Sequence, residues 1–401
     1  MKKFLLILSL LFCVTTFAQI STDTIASQSL GENRIITVSL PASYQKNKEK
    51  KYPLLVLLDG DYLFDAFNGA LSYGNYWDEM PETIIVGIHQ NKNNERESDC
   101  EIDDATGYPI EKGTKFFDFI STELLPNLEK KYRITPFKTI AGHDLTASYL
   151  NLFLYKENSP FRAYISLSPE LATGMEVQIA KQLSKVSSPV FYYQSYSDKD
   201  LKEYQEGIKI LHSNILTIKN ENLHYKQDQF IGASHYSLVL HSIPNALYHL
   251  FETYKAISPL EYNEKIVVLP SDYVSYLTKK YDDMEKYYGV KTPVRISDFN
   301  AIESAILKNK MYNELEELSI LARKNYPKTM LADYELALMF EQKGDLKRAA
   351  KYYQDAFLKD EIGQLTKDMM FEKTDSLKKS FTKKGKETEQ SEITDAVEEK
   401  K

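Results

Sequence analysis

The chain predicts an α/β class, a mostly parallel sheet covered by helices, followed by an all-α helical-repeat extension. Three observations carry this. A continuous apolar run at 53–58 suits a strand buried on both faces, and further strand signals follow at 82–88, 137–141, 161–167 and 190–196. Segments with helical spacing alternate with them, which favours parallel strands joined by crossovers. After about residue 257 strand signals give way to helix formers, and residues 330–363 carry paired-helix spacing.

In chain order, Arg34-Ile35-Ile36-Thr37-Val38-Ser39-Leu40 is rich in β-branched residues, Pro41 stops it, and a polar loop follows. Pro53-Leu54-Leu55-Val56-Leu57-Leu58 is a buried strand closed by Asp59-Gly60-Asp61. Glu82-Thr83-Ile84-Ile85-Val86-Gly87-Ile88 is another, leading into the polar loop 89–104. Residues 115–131 place Phe116, Phe117, Ile120, Leu124, Leu125 and Leu128 on one helical side. Strand 137–141 runs into a sharp turn at Asp144, with a helix over 146–155, and strands 161–167 and 190–196 follow.

These boundaries divide the chain into 19–257 as the α/β domain, 258–295 as a helical linker and 296–363 as helical repeats. Leu336, Ala337, Phe340, Gly344-Asp345, Ala349, Tyr353 and Ala356 match the tetratricopeptide spacing, and Ile302, Ile306, Ala322 and Pro327 form a weaker copy one repeat earlier. Residues 372–401 are charged and poor in apolar groups, and are expected to be a disordered tail.

Residues 1–18 have the layout of a secretory signal: Lys2 and Lys3, an apolar stretch from Phe4 to Phe12, and small residues ending at Ala18. The expectation is export to a bacterial envelope, periplasmic or secreted, with no transmembrane segment, because no later apolar run is long enough. Removing Lys2 and Lys3 takes the net charge from −7 to −9. An acidic chain without a basic patch argues against a nucleic-acid partner. Only Cys100 remains after cleavage, which excludes an intramolecular disulfide. His89, Asp99, Cys100, Glu101, Asp103 and Asp104 share no zinc or EF-hand spacing, so no metal or cofactor is expected and the segment reads as a solvated loop. Tyr62, Tyr73, Tyr76 and Trp77 cluster after an early strand, as pocket lining or surface packing.

The segment Gly142-His143-Asp144-Leu145-Thr146 has the form of a nucleophile elbow, G-x-S-x-G, with aspartate where serine belongs. Around it stand ordered blocks: Leu30-Gly31-Glu32-Asn33-Arg34, Leu40-Pro41-Ala42-Ser43-Tyr44, the strand ending Asp59-Gly60, Ile85-Val86-Gly87-Ile88 with Arg96 and Asp99 behind it, Ser166-Leu167-Ser168-Pro169, and Gly232-Ala233-Ser234-His235. From about residue 28 to 255 the chain resembles the putative esterase family of α/β-hydrolases, the group holding enterochelin esterases and esterase D. The resemblance implies the α/β-hydrolase fold, ester hydrolysis, and a site whose nucleophile, acid and histidine follow in that chain order. Mapped here these are Asp144, an acid just past strand 191–196 and His235. Asp198 is the first choice for the acid and Asp200 the alternative. Backbone N–H groups of Leu145 and of Asp61 and Tyr62 fill the oxyanion positions.

Asp144 leaves three chemistries open. It is an aspartate nucleophile of the kind found in epoxide hydrolases, although those need a cap domain and only residues 169–189 separate two consecutive strands. Or the domain is a degenerate hydrolase serving as a binding or interaction module. Thr146, a crowded place for threonine, and a histidine flanked by two acids favour this reading. Or Asp144 is a general base for attack by water on an ester, working with His235. The corresponding partners are a small-molecule ester or related ligand and a protein bound through the helical repeats.

Overall fold

The computed structural model describes residues 19–380. The segment read as a signal, 1–18, and residues 381–401 of the expected tail lie outside the described residues. Eight strands form one sheet: β1 (Ile20–Ser27), β2 (Glu32–Ser39), β3 (Tyr52–Leu57), β4 (Ile84–Ile88), β5 (Ile134–His143), β6 (Ala163–Leu167), β7 (Val190–Ser197) and β8 (Leu223–Phe230). Their order is β1-β2-β4-β3-β5-β6-β7-β8. β1, β2 and β4 pair antiparallel, and every pairing from β4 through β8 is parallel. The expected α/β sheet is therefore present, with two strands the apolar pattern does not reveal. β8, Leu-His-Tyr-Lys-Gln-Asp-Gln-Phe, is a half-buried edge with few apolar side chains, and β1 is the opposite, mostly exposed edge.

The strands expected to be buried on both faces are so. All residues of β3, β4 and β6 are buried. Helices over both faces bury Phe116, Phe119, Ile120, Leu124 and Leu128 from the segment between Glu111 and Lys131, which stays helical through a π-helical stretch at Phe119–Leu124. The helix Gly60–Tyr76 starts directly behind β3. A Cβ built on Gly60 would lie 2.5 Å from the Gly87 carbonyl carbon on β4, so this helix start is close enough to the sheet to need glycine.

The chain divides into two compact units. The first holds residues up to Tyr254 together with Lys286–Val290, and the second holds Lys255–Glu285 and the residues from Lys291 on. The span 258–295 is therefore more than a linker. Tyr288, at the end of the helix Tyr273–Tyr288, is fully buried in the first unit. Its hydroxyl donates to the Leu250 carbonyl at 2.8 Å, and its ring packs edge-on against Phe137 of β5.

In the second unit the helices Ile296–Lys308, Glu314–Asn325, Leu331–Gln342 and Leu346–Phe357 follow one another with short connections. Met330, Ala337, Ala349, Ala350, Tyr353 and Ala356 form a core together with Met370 and Leu377. The last two residues belong to a helix over 367–380. The expected disorder from residue 372 is thus corrected over 372–380: the low apolar content hides Leu377, which supplies the buried side of one more helix.

Gly60→Ala tests the close approach of helix and sheet. It is expected to destabilise the protein by about 1–3 kcal/mol, the usual penalty of overpacking. The readout is a lower urea midpoint at unchanged slope, and an unchanged midpoint would contradict the steric account.

Candidate active site

The parallel strands end on one edge, and the chemistry-bearing residues sit in the loops just past those ends: Asp59 after β3, Gln90 and Arg96 after β4, Asp144 after β5, Ser168 after β6, Asp200 after β7 and His235 after β8. Open parallel sheets place their sites at this edge because the crossovers leave it as a crevice.

At the end of β5 the chain turns sharply. Asp144 has φ 61° and ψ −120°, and the helix Leu145–Tyr149 follows at once. That backbone is costly for a residue with a side chain and is kept only where its surroundings hold it. A Cβ on Gly142 would meet Thr146 Oγ1 at 2.6 Å and the Thr146 carbonyl carbon at 2.7 Å, which explains the glycine. Thr146 itself, expected to fit poorly, is fully buried and hydrogen-bonded. Its hydroxyl accepts the His143 N–H at 2.9 Å and lies 2.5 Å from Asp59 Oδ2, to which it donates. A serine could offer the same hydroxyl, but the threonine methyl also restricts its rotation.

Asp59 is fully buried with φ 55°. Its Oδ1 accepts Arg96 Nε at 2.7 Å, and its Oδ2 accepts the Tyr62 hydroxyl at 2.9 Å. Its amide donates to Gln90 Oε1 at 3.1 Å. Arg96 also donates through Nη2 to the His143 carbonyl at 2.8 Å, and Nη1 and Nη2 each lie 3.4 Å from Asp144 Oδ2. Burial works against the Arg96 charge, but the hydrogen bonds and charge of Asp59 outweigh it and hold the guanidinium pKa above its ordinary value. The short helix carrying Arg96, Glu95–Asp99, is anchored by a second buried ion pair between Asp99 and Arg34 of β2.

His235 lies between two carboxylates. Its Nδ1 is 2.8 Å from Asp200 Oδ1, and its Nε2 is 3.9 Å from Asp144 Oδ1. The Asp200 hydrogen bond, with the Asp144 and Asp200 charges, raises the imidazole pKa above 6.5 against the opposing effect of burial. Burial would raise the Asp200 pKa, yet its bonds from His235, from the Ser197 N–H at 2.6 Å and from Ser168 bring it below the usual value. His143, its ring tilted 37° against that of His235 at 4.5 Å between centroids, is pushed down to about 4 by burial and by the His235 charge, so it stays neutral. The Tyr204 phenol, facing Asp144 and Glu170, is raised by burial and by those two carboxylates.

The residues expected from sequence fall into place unevenly. Asp144 and His235 meet. Asp200, the alternative acid, contacts His235, and Asp198 does not. Asp198 Oδ1 instead accepts the Gly232 N–H at 2.6 Å and so fastens the turn leading to His235. β7 runs on to Ser197, and the chain needs the turn after it before a carboxylate can point back at the ring. Of the oxyanion positions, Leu145 opens the helix directly after Asp144, and Asp61 lies in the first turn of the helix Gly60–Tyr76, where amides lack helical acceptors. The Tyr62 amide is already committed, donating to the Asp59 carbonyl at 3.1 Å. The Asp61 carboxylate binds His89 Nδ1 at 2.9 Å and the Gln90 amide at 2.8 Å. Sequence reasoning missed the roles of Asp59, Gln90 and Arg96. The only available signal was that Asp59, Arg96 and Asp99 fall within blocks of the family resemblance. Among the described residues, no group of three or more His, Cys, Asp or Glu side chains is placed to hold a metal ion, and no helix is long and apolar enough to cross a membrane.

The His235–Asp200 contact has a direct readout. A histidine pKa raised on folding adds stability that is full below about 6.5 and lost as pH rises through the folded value. Asp200→Asn should move the His235 titration, followed by imidazole NMR, down toward 6.5. Asp144→Asn should move it by less, because its oxygen is 3.9 Å away against 2.8 Å. An Asp198→Asn shift as large as that of Asp200→Asn would overturn the assignment.

The comparisons with known proteins bear on the fold and the family. Over 90% of this chain and 99% of the other, the structure superposes with TM-score 0.82 at 27% identity on an uncharacterised protein from Capnocytophaga ochracea DSM 7271. An IroE-like serine hydrolase from Shewanella oneidensis matches over 76% of this chain and 99% of its own at TM-score 0.58 and 17% identity. The BES protein from Bacillus cereus matches over 58% and 94% at TM-score 0.51 and 22% identity. The last two likenesses concern the fold alone. Among curated proteins no match is found. Residues 27–222 match the profile of the family described as "Putative esterase", and the α/β unit of this chain belongs to that family.

Proposed function

We propose that this is an exported member of the putative esterase family in which Asp144 replaces the nucleophilic serine, and that it works as a binding or interaction module instead of a serine esterase. The observation that carries the reading is the placement of Asp144, flanked by the Arg96 guanidinium on one side and His235 on the other. A serine hydrolase needs a neutral imidazole facing a neutral hydroxyl, ready to take its proton. Here the imidazole faces a carboxylate at Nε2 and another at Nδ1, which favours the charged ring, and a charged ring has no lone pair to accept a proton. An aspartate attacking carbon would need a cap to hold its leaving group, and between β6 and β7 the chain has only the helix Met175–Leu183. The ligand is a small-molecule ester or a related compound received at this edge. The C-terminal helices, with their tetratricopeptide-like spacing, would receive a protein partner.

Wild-type protein is expected to hydrolyse short p-nitrophenyl esters at the background rate. Asp144→Ser restores the hydroxyl beside an intact His235–Asp200 pair and should produce hydrolysis that a serine-directed inhibitor stops. Brisk wild-type hydrolysis, abolished by His235→Ala and insensitive to that inhibitor, would replace the binding reading with Asp144 acting as a general base. Export has its own check: N-terminal sequencing of protein from the envelope fraction should begin at Gln19, and a start at Met1 would exclude cleavage after Ala18.

A further inference from the structure

In the second unit, the helix Leu331–Gln342 carries three carboxylates, Asp333, Glu335 and Glu341, and they are treated very differently. Asp333 is paired with Arg323 at 2.9 Å and Lys359 at 2.5 Å. Glu341 accepts the Tyr353 hydroxyl at 2.5 Å and Lys373 at 3.0 Å. Glu335, between them, is fully buried, and neither of its oxygens has a hydrogen-bond partner. The neighbouring charge acting on it is Glu303, from the helix Ile296–Lys308. The Tyr334 phenol is a further group acting on Glu303.

We propose that Glu303 and Glu335 form a proton-holding switch between these two helices, closed while the pair keeps its proton and loosened when the proton leaves. A buried carboxylate without a counter-ion or donor is too costly to persist, so the group stays neutral or the packing gives way. Two adjacent carboxyls cannot both ionise cheaply in such a place, which makes the pair titrate as a unit. Other charged and titratable groups stand on the same helix and on its neighbours. Tyr334 lies on the same helix, Tyr353 comes from the helix Leu346–Phe357, and the cations Arg323, Lys359 and Lys373 are committed to Asp333 and Glu341.

Burial lifts Glu303 to about 7, and burial with the Glu303 charge holds Glu335 well above the ordinary 4.5. Both shifts are upward for an acid. The folded unit therefore keeps protons that the opened unit has released, and stability falls as pH rises from about 4.5 through neutrality. The switch is independent of the chemistry at Asp144, and its failure would leave that reading untouched.

The test is hydrogen exchange on the full-length protein between pH 5 and 8, following peptides within 296–308 and 331–342, with rates corrected for intrinsic exchange. The corrected opening is expected to rise up to about tenfold per pH unit for each proton released, in step in both peptides. Glu335→Gln removes the ionisable group at nearly constant shape and should flatten this slope and slow exchange at pH 8. Glu303→Gln should flatten it as well, which keeps the test available if one variant folds badly. A protonated-carboxyl band in infrared difference spectra should fade over the same pH range and be weaker in Glu335→Gln and in Glu303→Gln than in the wild type. Wild-type exchange flat across the range, or a full slope retained in Glu335→Gln, would overturn the proposal.

Discussion

The candidate site depends on one buried ion pair, Asp59 with Arg96. Asp59 has no exposed surface, so its charge is tolerable only because Arg96, Tyr62 and Thr146 all donate to its carboxylate, while Gln90 accepts its backbone N–H. Those partners come from the first turn of the helix after β3, from the loop after β4 and from the elbow after β5. One carboxylate thereby fixes the relative positions of three loops. Removing one partner from a buried pair typically costs about 3–5 kcal/mol, because the other charge is left stranded. The geometry propagates outward. Arg34 and Asp99 hold the short helix that delivers Arg96, and Gln90 bridges the two pairs by donating to Asp99 Oδ2 at 3.2 Å.

The strained backbone at this edge has the same origin. Asp59, Asp144 and Ser168 all have positive φ, and each follows a parallel strand. Such conformations persist where surrounding contacts over-determine them. Asp59 has its ring of donors. The Asp144 amide donates to the Leu167 carbonyl at 2.9 Å, and the Ser168 amide to the Ser195 carbonyl at 2.8 Å. The Asp144 and Ser168 turns are therefore each stitched to the end of the next strand, so hydrogen bonds continue at this edge after the regular ladder stops.

Much of the fold was legible because parallel strands buried on both faces are rich in apolar side chains, as β3 and β4 are throughout and β5 to β7 are in large part. β1 and β8 were hidden because edge strands lack that requirement. The helix over 367–380 was hidden because composition averages out Met370 and Leu377. At the site, Asp144 and His235 were legible because an elbow and a glycine-preceded histidine have local signatures. The choice between Asp198 and Asp200 was not, since it turns on where β7 ends. Arg96 was the hardest to see. Its partners Asp59 and Asp144 are 37 and 48 residues away in sequence, so no local pattern records the contact.

The return of Lys286–Val290 to the first unit bears on how the protein acquires its structure. Gly289, with φ 63°, lies so close to β5 that an added Cβ would sit 2.9 Å from Pro136 Cδ. Tyr288 covers Phe137 and Phe251. The core at that end of the sheet is thus completed by residues synthesised after an excursion into the other unit. On the ribosome, where domains generally fold as they emerge, the α/β unit cannot close when its last strand and helix appear. Until residue 290 is made, Phe137 and Phe251 lack the cover that Tyr288 gives them, and apolar surface left open during synthesis is prone to aggregation.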